Sequence, residues 1–133
     1  MKILTFSDLH TPCIEAISNI DFNNLNYDIC FTLGDIDFET LKTIQNNVKC
    51  SIYAVLGNHD EYNLLSDLNI QSIDRKKINV AGISFVGLSG SSRYKLDNKS
   101  MLTQKESIQV CKELEPADIL ISCLLYTSPS PRD

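Results

Sequence analysis

Four short apolar runs, each ending in or close to Gly, Asp or Asn, punctuate the chain: Lys2 to Ser7, Asp28 to Leu33, Ser51 to Leu56 and Ile83 to Leu88. Their apolarity is continuous rather than alternating, which predicts strands buried on both faces. Between the first two runs, Ile14, Ile17 and Ile20 recur at helical spacing over Pro12 to Ile20, and Pro12 is tolerated near a helix start. Phe38, Leu41 and Ile44 form a similar stripe before the third run. Strand, helix, strand, helix, strand at about 25 residues per unit implies a parallel sheet with right-handed crossovers. All of its polar strand ends then face one edge.

Beyond Asn58 the pattern shortens. Ile70 to Ile73, Ile78 to Ala81 and Ile83 to Leu88 suggest a hairpin or meander around Gly82. A further helix is predicted from Thr103 to Leu114, with Ile108, Cys111 and Leu114 on one stripe and Thr103 capping ahead of Glu106. Ala117 to Ser122 follows Pro116 and reads as one more strand. The last ten residues, Leu-Leu-Tyr-Thr-Ser-Pro-Ser-Pro-Arg-Asp, have two prolines and two serines in a row of four, which fits a disordered end better than a packed element. No internal repeat or domain boundary is visible.

The ends of the first three strands carry the chemistry: Ser7-Asp8-Leu9-His10, Gly34-Asp35 and Gly57-Asn58-His59-Asp60. In open α/β sheets, ligands bind outside the carboxyl ends of parallel strands. That rule gathers Asp8, His10, Asp35, Asn58 and His59 although they are spread over about 50 residues. Carboxylate favours Mn²⁺ or Mg²⁺ and imidazole favours Fe, Zn, Ni or Co, so the mixture suits a pair of divalent ions. A carboxylate can bridge two such ions, which clamp a phosphate and make hydroxide available at neutral pH. His59 could then protonate a leaving alkoxide or steady phosphoryl oxygens, and Asp60 could orient its ring. Taken singly, each motif has a plainer reading, as a cap or a turn rich in Asn and Asp. Their coincidence at three consecutive strand ends, with both histidines of the chain among them, favours metal. A separate phrase, Gly87-Leu88-Ser89-Gly90-Ser91-Ser92-Arg93-Tyr94, is either a surface loop or a cleft wall offering Arg93 to phosphate.

Composition narrows the setting. With 133 residues, 43% hydrophobic and 22% charged, the chain can build one domain with a core. A net charge of -5 argues against long-range attraction to nucleic acid or anionic membrane, so nucleic acid enters only as a substrate. Met1 to Phe6 is too short for a signal peptide, and no apolar stretch reaches the roughly 20 residues that span a bilayer, so a cytoplasmic protein is expected. The five cysteines contain no C-x-x-C pair and are expected to be reduced, with Cys30 and Cys50 acting as small hydrophobes.

The order and spacing of D-x-H, G-D and G-N-H-D resemble the calcineurin-like metallophosphoesterase superfamily. That resemblance implies the N-terminal part of a four-layer α/β/β/α sandwich that hydrolyses phosphomonoesters or phosphodiesters at a dinuclear centre. It implies Asp8 and His10 on one ion, Asp35 bridging both, Asn58 on the second and His59 on the phosphate of a small ester substrate. Manganese is the foremost metal, with Fe, Zn, Ni or Mg as alternatives. Two blocks of the family are missing: Cys123 stands where a histidine is expected after Ile119 to Ser122, and no G-H-x-H follows. From Cys123 onward the sequence resembles translated sequencing-adapter read-through. Residues 1–122 therefore read as a truncated metallophosphoesterase domain and 123–133 as a disordered tail of non-native character. The alternatives are an inactive fragment that keeps one ion, or a binding module without enzymatic activity.

Overall fold

The computed structural model describes residues 1–9, 11–57, 65–92 and 101–123. Strands β1 (Ile3–Phe6), β2 (Ile29–Thr32), β3 (Ile52–Ala54) and β4 (Gln71–Ser72) form a sheet in that order, every pair parallel. A second sheet orders β5 (Lys77–Val80), β6 (Ile83–Leu88) and β9 (Ile119–Ser122), antiparallel across β5 and β6 and parallel across β6 and β9. The short pair β7 (Ser91–Ser92) and β8 (Met101–Leu102) stands apart from both. Parallel neighbours cannot be joined by a tight turn, so crossover segments carry the helices α1 (Ile14–Ser18) and α2 (Phe38–Asn47). Helix α3 (Gln104–Glu113) precedes β9.

Side-chain alternation along β2 divides the interior in two. Cys30 points into a cluster with Ile17, Leu41, Ile44 and Val48, the side covered by α1 and α2. Ile29 and Phe31 point the other way, into a cluster with Val55, Ile73, Phe85 and Ile121 that joins the two sheets. Because β2 is buried at all four positions, its run is continuously apolar, as predicted. Helices, first sheet and second sheet are thus three successive layers of an α/β sandwich, with the parallel first sheet that the sequence pattern predicts. Burial pushes the Cys30 thiol up to about 12, with the neighbouring Cys50 adding to the shift. All five cysteines are free thiols.

Three local expectations need correction. Ile70 to Ile73 does not join the hairpin around Gly82. It supplies β4, because Ile70 is held in the helix-side cluster and Ile73 in the intersheet cluster, which fixes the segment at the edge of the first sheet. In α3 the stripe Ile108, Cys111, Leu114 is not the buried one. Val110 is buried while Ile108 is 50% exposed, so the inward face runs through Ser107, Val110 and Leu114. The capping box itself is present, with Thr103 Oγ1 accepting from Glu106 N at 3.1 Å and Glu106 Oε1 accepting from Thr103 N at 3.3 Å. The first predicted helix opens as a 3-10 turn over Thr11–Cys13, and its last isoleucine, Ile20, is 40% exposed while Ile17 is buried. Pro12 fits this opening because its missing N–H would have had no helical partner there. Residues 124–133 lie outside the described residues, while Cys123 is buried at the end of β9.

The crossing from one sheet to the other is made by a turn over 73–76, closed by Lys76 N–H to Ile73 O at 3.0 Å, with Arg75 left-handed at φ 57°. It presses on Gly87 of β6, where a Cβ would come within 2.8 Å of the Ile73 carbonyl carbon. Gly87→Ala is therefore expected to lose about 1–3 kcal/mol by overpacking. Phe31→Ala, which empties the centre of the intersheet cluster, is expected to lose about 3–5 kcal/mol. Urea unfolding of both variants checks the order of the two effects.

A second prediction concerns the start of β6 and β9. Asp118 Oδ2 accepts from both the N–H and the hydroxyl of Ser84 at 2.9 Å, and Ser84 Oγ accepts from Asp118 N–H at 2.9 Å. The Ser84 backbone N–H and then its hydroxyl hold the Asp118 carboxyl below its usual range. A carboxyl depressed in the folded state stabilises above its unfolded value, about 3.9, and loses that contribution as pH falls toward its folded value. The difference in urea midpoint between the natural chain and Asp118→Asn should accordingly be present at neutral pH and close below about pH 4.

Candidate metal centre

The register of the first sheet levels its strand ends. Phe6 pairs with Thr32 and Thr32 with Ala54, so the residues that follow leave the sheet side by side. Leu33 N–H donates to Phe6 O at 2.8 Å, Val55 N–H to Thr32 O at 3.0 Å and Asp8 N–H to Gly34 O at 3.1 Å. Asp8 and Asp35 are thereby held on adjacent ends of one edge. Both take left-handed backbone conformations, with φ of 55° and 56°, and Gly34 lies at φ 97°. Among residues with a Cβ, Asp and Asn tolerate this region best, so the turns can carry an acid without glycine.

The third strand end closes on the second. A Cβ on Gly57 would overlap the Asp35 carboxylate, lying 2.6 Å from its Cγ, and a Cβ on Gly34 would come within 2.5 Å of Gly57 N. Two glycines are needed here because backbone and carboxylate occupy the space that side chains would fill. Cys123 arrives from the other sheet, carried by the parallel pairing of Leu88 with Ser122. Its Sγ–H donates to Asp35 Oδ2 at 3.5 Å, and the residue is buried.

The chain after β3 is caught by a turn that the second sheet supplies. Leu56 N–H donates to Ser89 Oγ at 2.8 Å, and Leu56 O accepts from Gly90 N–H at 2.7 Å. Ser89 N–H in turn donates to Asp74 Oδ1 at 2.8 Å. Ser89 falls within the Gly/Ser phrase singled out in the sequence. Asp74 does not, because an acid in a polar turn carries no pattern that separates it from a solvated one.

Of the residues assigned to the site from sequence, Asp8 and Asp35 are described and brought to one edge. His10, Asn58, His59 and Asp60 lie outside the described residues, as does Arg93. Among the described residues no group of three or more His, Cys, Asp or Glu is arranged to hold a metal ion. The two carboxylates fit a divalent cation in kind, being oxygen donors at a strand edge, but by number they would leave most of its coordination to other groups. A cavity of about 500 Å³ lies at the opposite edge, lined by residues such as Lys49, Cys50, Asn69 and Gln71, away from the acids. The two acids lie instead at the carboxyl edge of the parallel strands, the edge at which open α/β sheets bind ligands.

Residues 1–112 match the calcineurin-like phosphoesterase superfamily domain. The uncharacterized protein MJ1162 of Methanocaldococcus jannaschii is 30% identical over 115 residues, covering 80% of this chain and 51% of that protein. The chain thus spans about half the length of this relative. The crystal structure of AQ665 from Aquifex aeolicus, a protein of unknown function, aligns with a TM-score of 0.59 at 16% identity over 96% of this chain and 81% of that one. At that identity the likeness is one of fold. The domain match runs from β1 into α3 and so includes both strand-end acids and the glycines packed against them, and on that ground the chain belongs to the calcineurin-like phosphoesterase superfamily.

Proposed function

We propose that the chain contributes half of the ligand set of a dinuclear centre that hydrolyses phosphomonoesters or phosphodiesters. At the level of the family, phosphoester hydrolysis is the activity that goes with this domain. The observation that carries the finer reading is the pair Asp8 and Asp35, held on neighbouring strand ends by the Asp8 N–H to Gly34 O bond, each in a left-handed turn.

In this reading Asp8 and His10 would hold one divalent ion and Asn58 another, with Asp35 serving as a ligand to both. Bound divalent ions would supply a hydroxide nucleophile at neutral pH and neutralise charge on the phosphoryl oxygens. The protein's own part is to orient and to move protons. Gly57 against the Asp35 carboxylate limits how that group can turn. His59, next in the chain to Asn58, donates a proton to the leaving oxygen or a hydrogen bond to phosphate, with Asp60 orienting its ring. Manganese suits the mixture of carboxylate, amide and imidazole donors, and Fe, Zn, Ni or Mg are the alternatives. The substrate is a small phosphate ester, and nucleic acid is a partner only in that role.

A second reading is favoured by Cys123. The family resemblance expects histidine after β9, and a thiol beside Asp35 is a softer donor that suits a different range of metals. The chain would then retain an ion without turning over. Two measurements separate the readings. Hydrolysis of bis-p-nitrophenyl phosphate with Mn²⁺ is expected to stop with chelator and to fall about 100-fold or more in Asp35→Asn. Undiminished turnover in either control overturns the dinuclear mechanism. Zn²⁺ binding by titration calorimetry, intact in the unsubstituted chain and lost in Asp35→Asn while turnover is absent from both, selects the second reading.

A further inference from the structure

The turn at Ser89 and Gly90 belongs to the second sheet, yet its hydrogen bonds fall on the third strand end of the first. After Val55 the chain has left its ladder with β2, and the next residue, Leu56, has both backbone polar groups taken by this turn: N–H by Ser89 Oγ and O by Gly90 N–H. A backbone pinned at both groups has little freedom in the residue that follows. That residue is Gly57, whose backbone lies directly against the Asp35 carboxylate. Ser89 is itself held from behind by Asp74, which accepts its N–H at 2.8 Å and has Arg75 Nε 3.9 Å from its other oxygen.

We propose that Ser89 is a positioning residue of the metal centre: its hydroxyl, seated by Asp74, fixes Leu56 and Gly57 so that Asp35 presents its carboxylate in one orientation. The inference rests on Asp35 being a metal ligand, as argued above. A partner that orients a ligating carboxylate acts on the affinity and geometry of the ion rather than on the chemistry directly, and losing one typically weakens binding about 10- to 100-fold. Only the hydroxyl oxygen is required, as an acceptor for Leu56 N–H, so threonine preserves the contact and alanine removes it. Gly90 contributes through its backbone N–H, and its φ of 90° is a conformation that favours glycine.

The test uses the whole chain and Co²⁺, whose visible absorption reports ligand geometry, with thermal melting run on every variant. The natural chain should bind Co²⁺ with a defined spectrum, and Asp35→Asn should abolish it. Ser89→Ala should melt cooperatively, bind about 10- to 100-fold more weakly and show an altered spectrum, while Ser89→Thr restores both. Asp74→Ala, which unseats Ser89 from the other side, should shift the spectrum in the same direction as Ser89→Ala. Natural affinity and spectrum in Ser89→Ala, or no recovery in Ser89→Thr, overturns the positioning role while leaving the metal centre standing. Absence of Co²⁺ binding by the natural chain overturns the metal centre and this role with it. Failure of both Ser89→Ala and Asp74→Ala to fold assigns the network to stability alone and also overturns the proposal.

Discussion

Contact between two aromatic rings governs the geometry of the molecule. Phe31 in β2 and Phe85 in β6 are both fully buried, with ring centroids 5.0 Å apart and planes inclined at 47°. Tilted pairs at this separation gain attraction beyond their burial, and packed rings transmit position because a dense interior cannot yield gradually. Through this contact the second sheet is set against the first, with Ile73, Val55 and Ile121 filling the space around it. Two consequences reach the strand edge. The end of β9 is delivered to Asp35 as Cys123, and the turn after β6 is delivered to Leu56 as Ser89 and Gly90.

A layered sandwich of this kind assigns separate tasks to its sheets. The first supplies the acids on its own strand ends, where parallel register makes them neighbours without any side-chain network. The second supplies the groups that hold those ends in place. The division explains why the apolar cluster under the helices and the one between the sheets meet along β2, the strand whose four residues are all buried and whose end carries Asp35.

How much of this could be read in the chain beforehand depends on how locally each feature is determined. Strands buried on both faces announce themselves as unbroken apolar runs, so β2 and its neighbours were legible, and so were Asp8 and Asp35 at their ends. The capping box of α3 was legible for the same reason, since Thr103 and Glu106 lie within one turn of each other. The face that α3 buries was not, because Ile108 is as apolar as Val110 and only tertiary packing chooses between them. Strand β4 is not legible as a member of the first sheet, because two residues at a sheet edge leave no periodicity to detect. Ser89 is marked in the sequence only as part of a Gly/Ser phrase, and Asp74 carries no pattern of its own. Their roles arise from bonds between segments 15 and 33 residues apart.

The left-handed turns at Asp8 and Asp35 set stability and chemistry against each other. For most residues with a side chain such a conformation costs about 1–2 kcal/mol, and glycine would adopt it freely. Judged by backbone energy alone, each position is better filled by the residue that has nothing to offer a cation. At both strand ends the backbone thus gives up some stability in keeping a carboxylate where glycine would fit more easily.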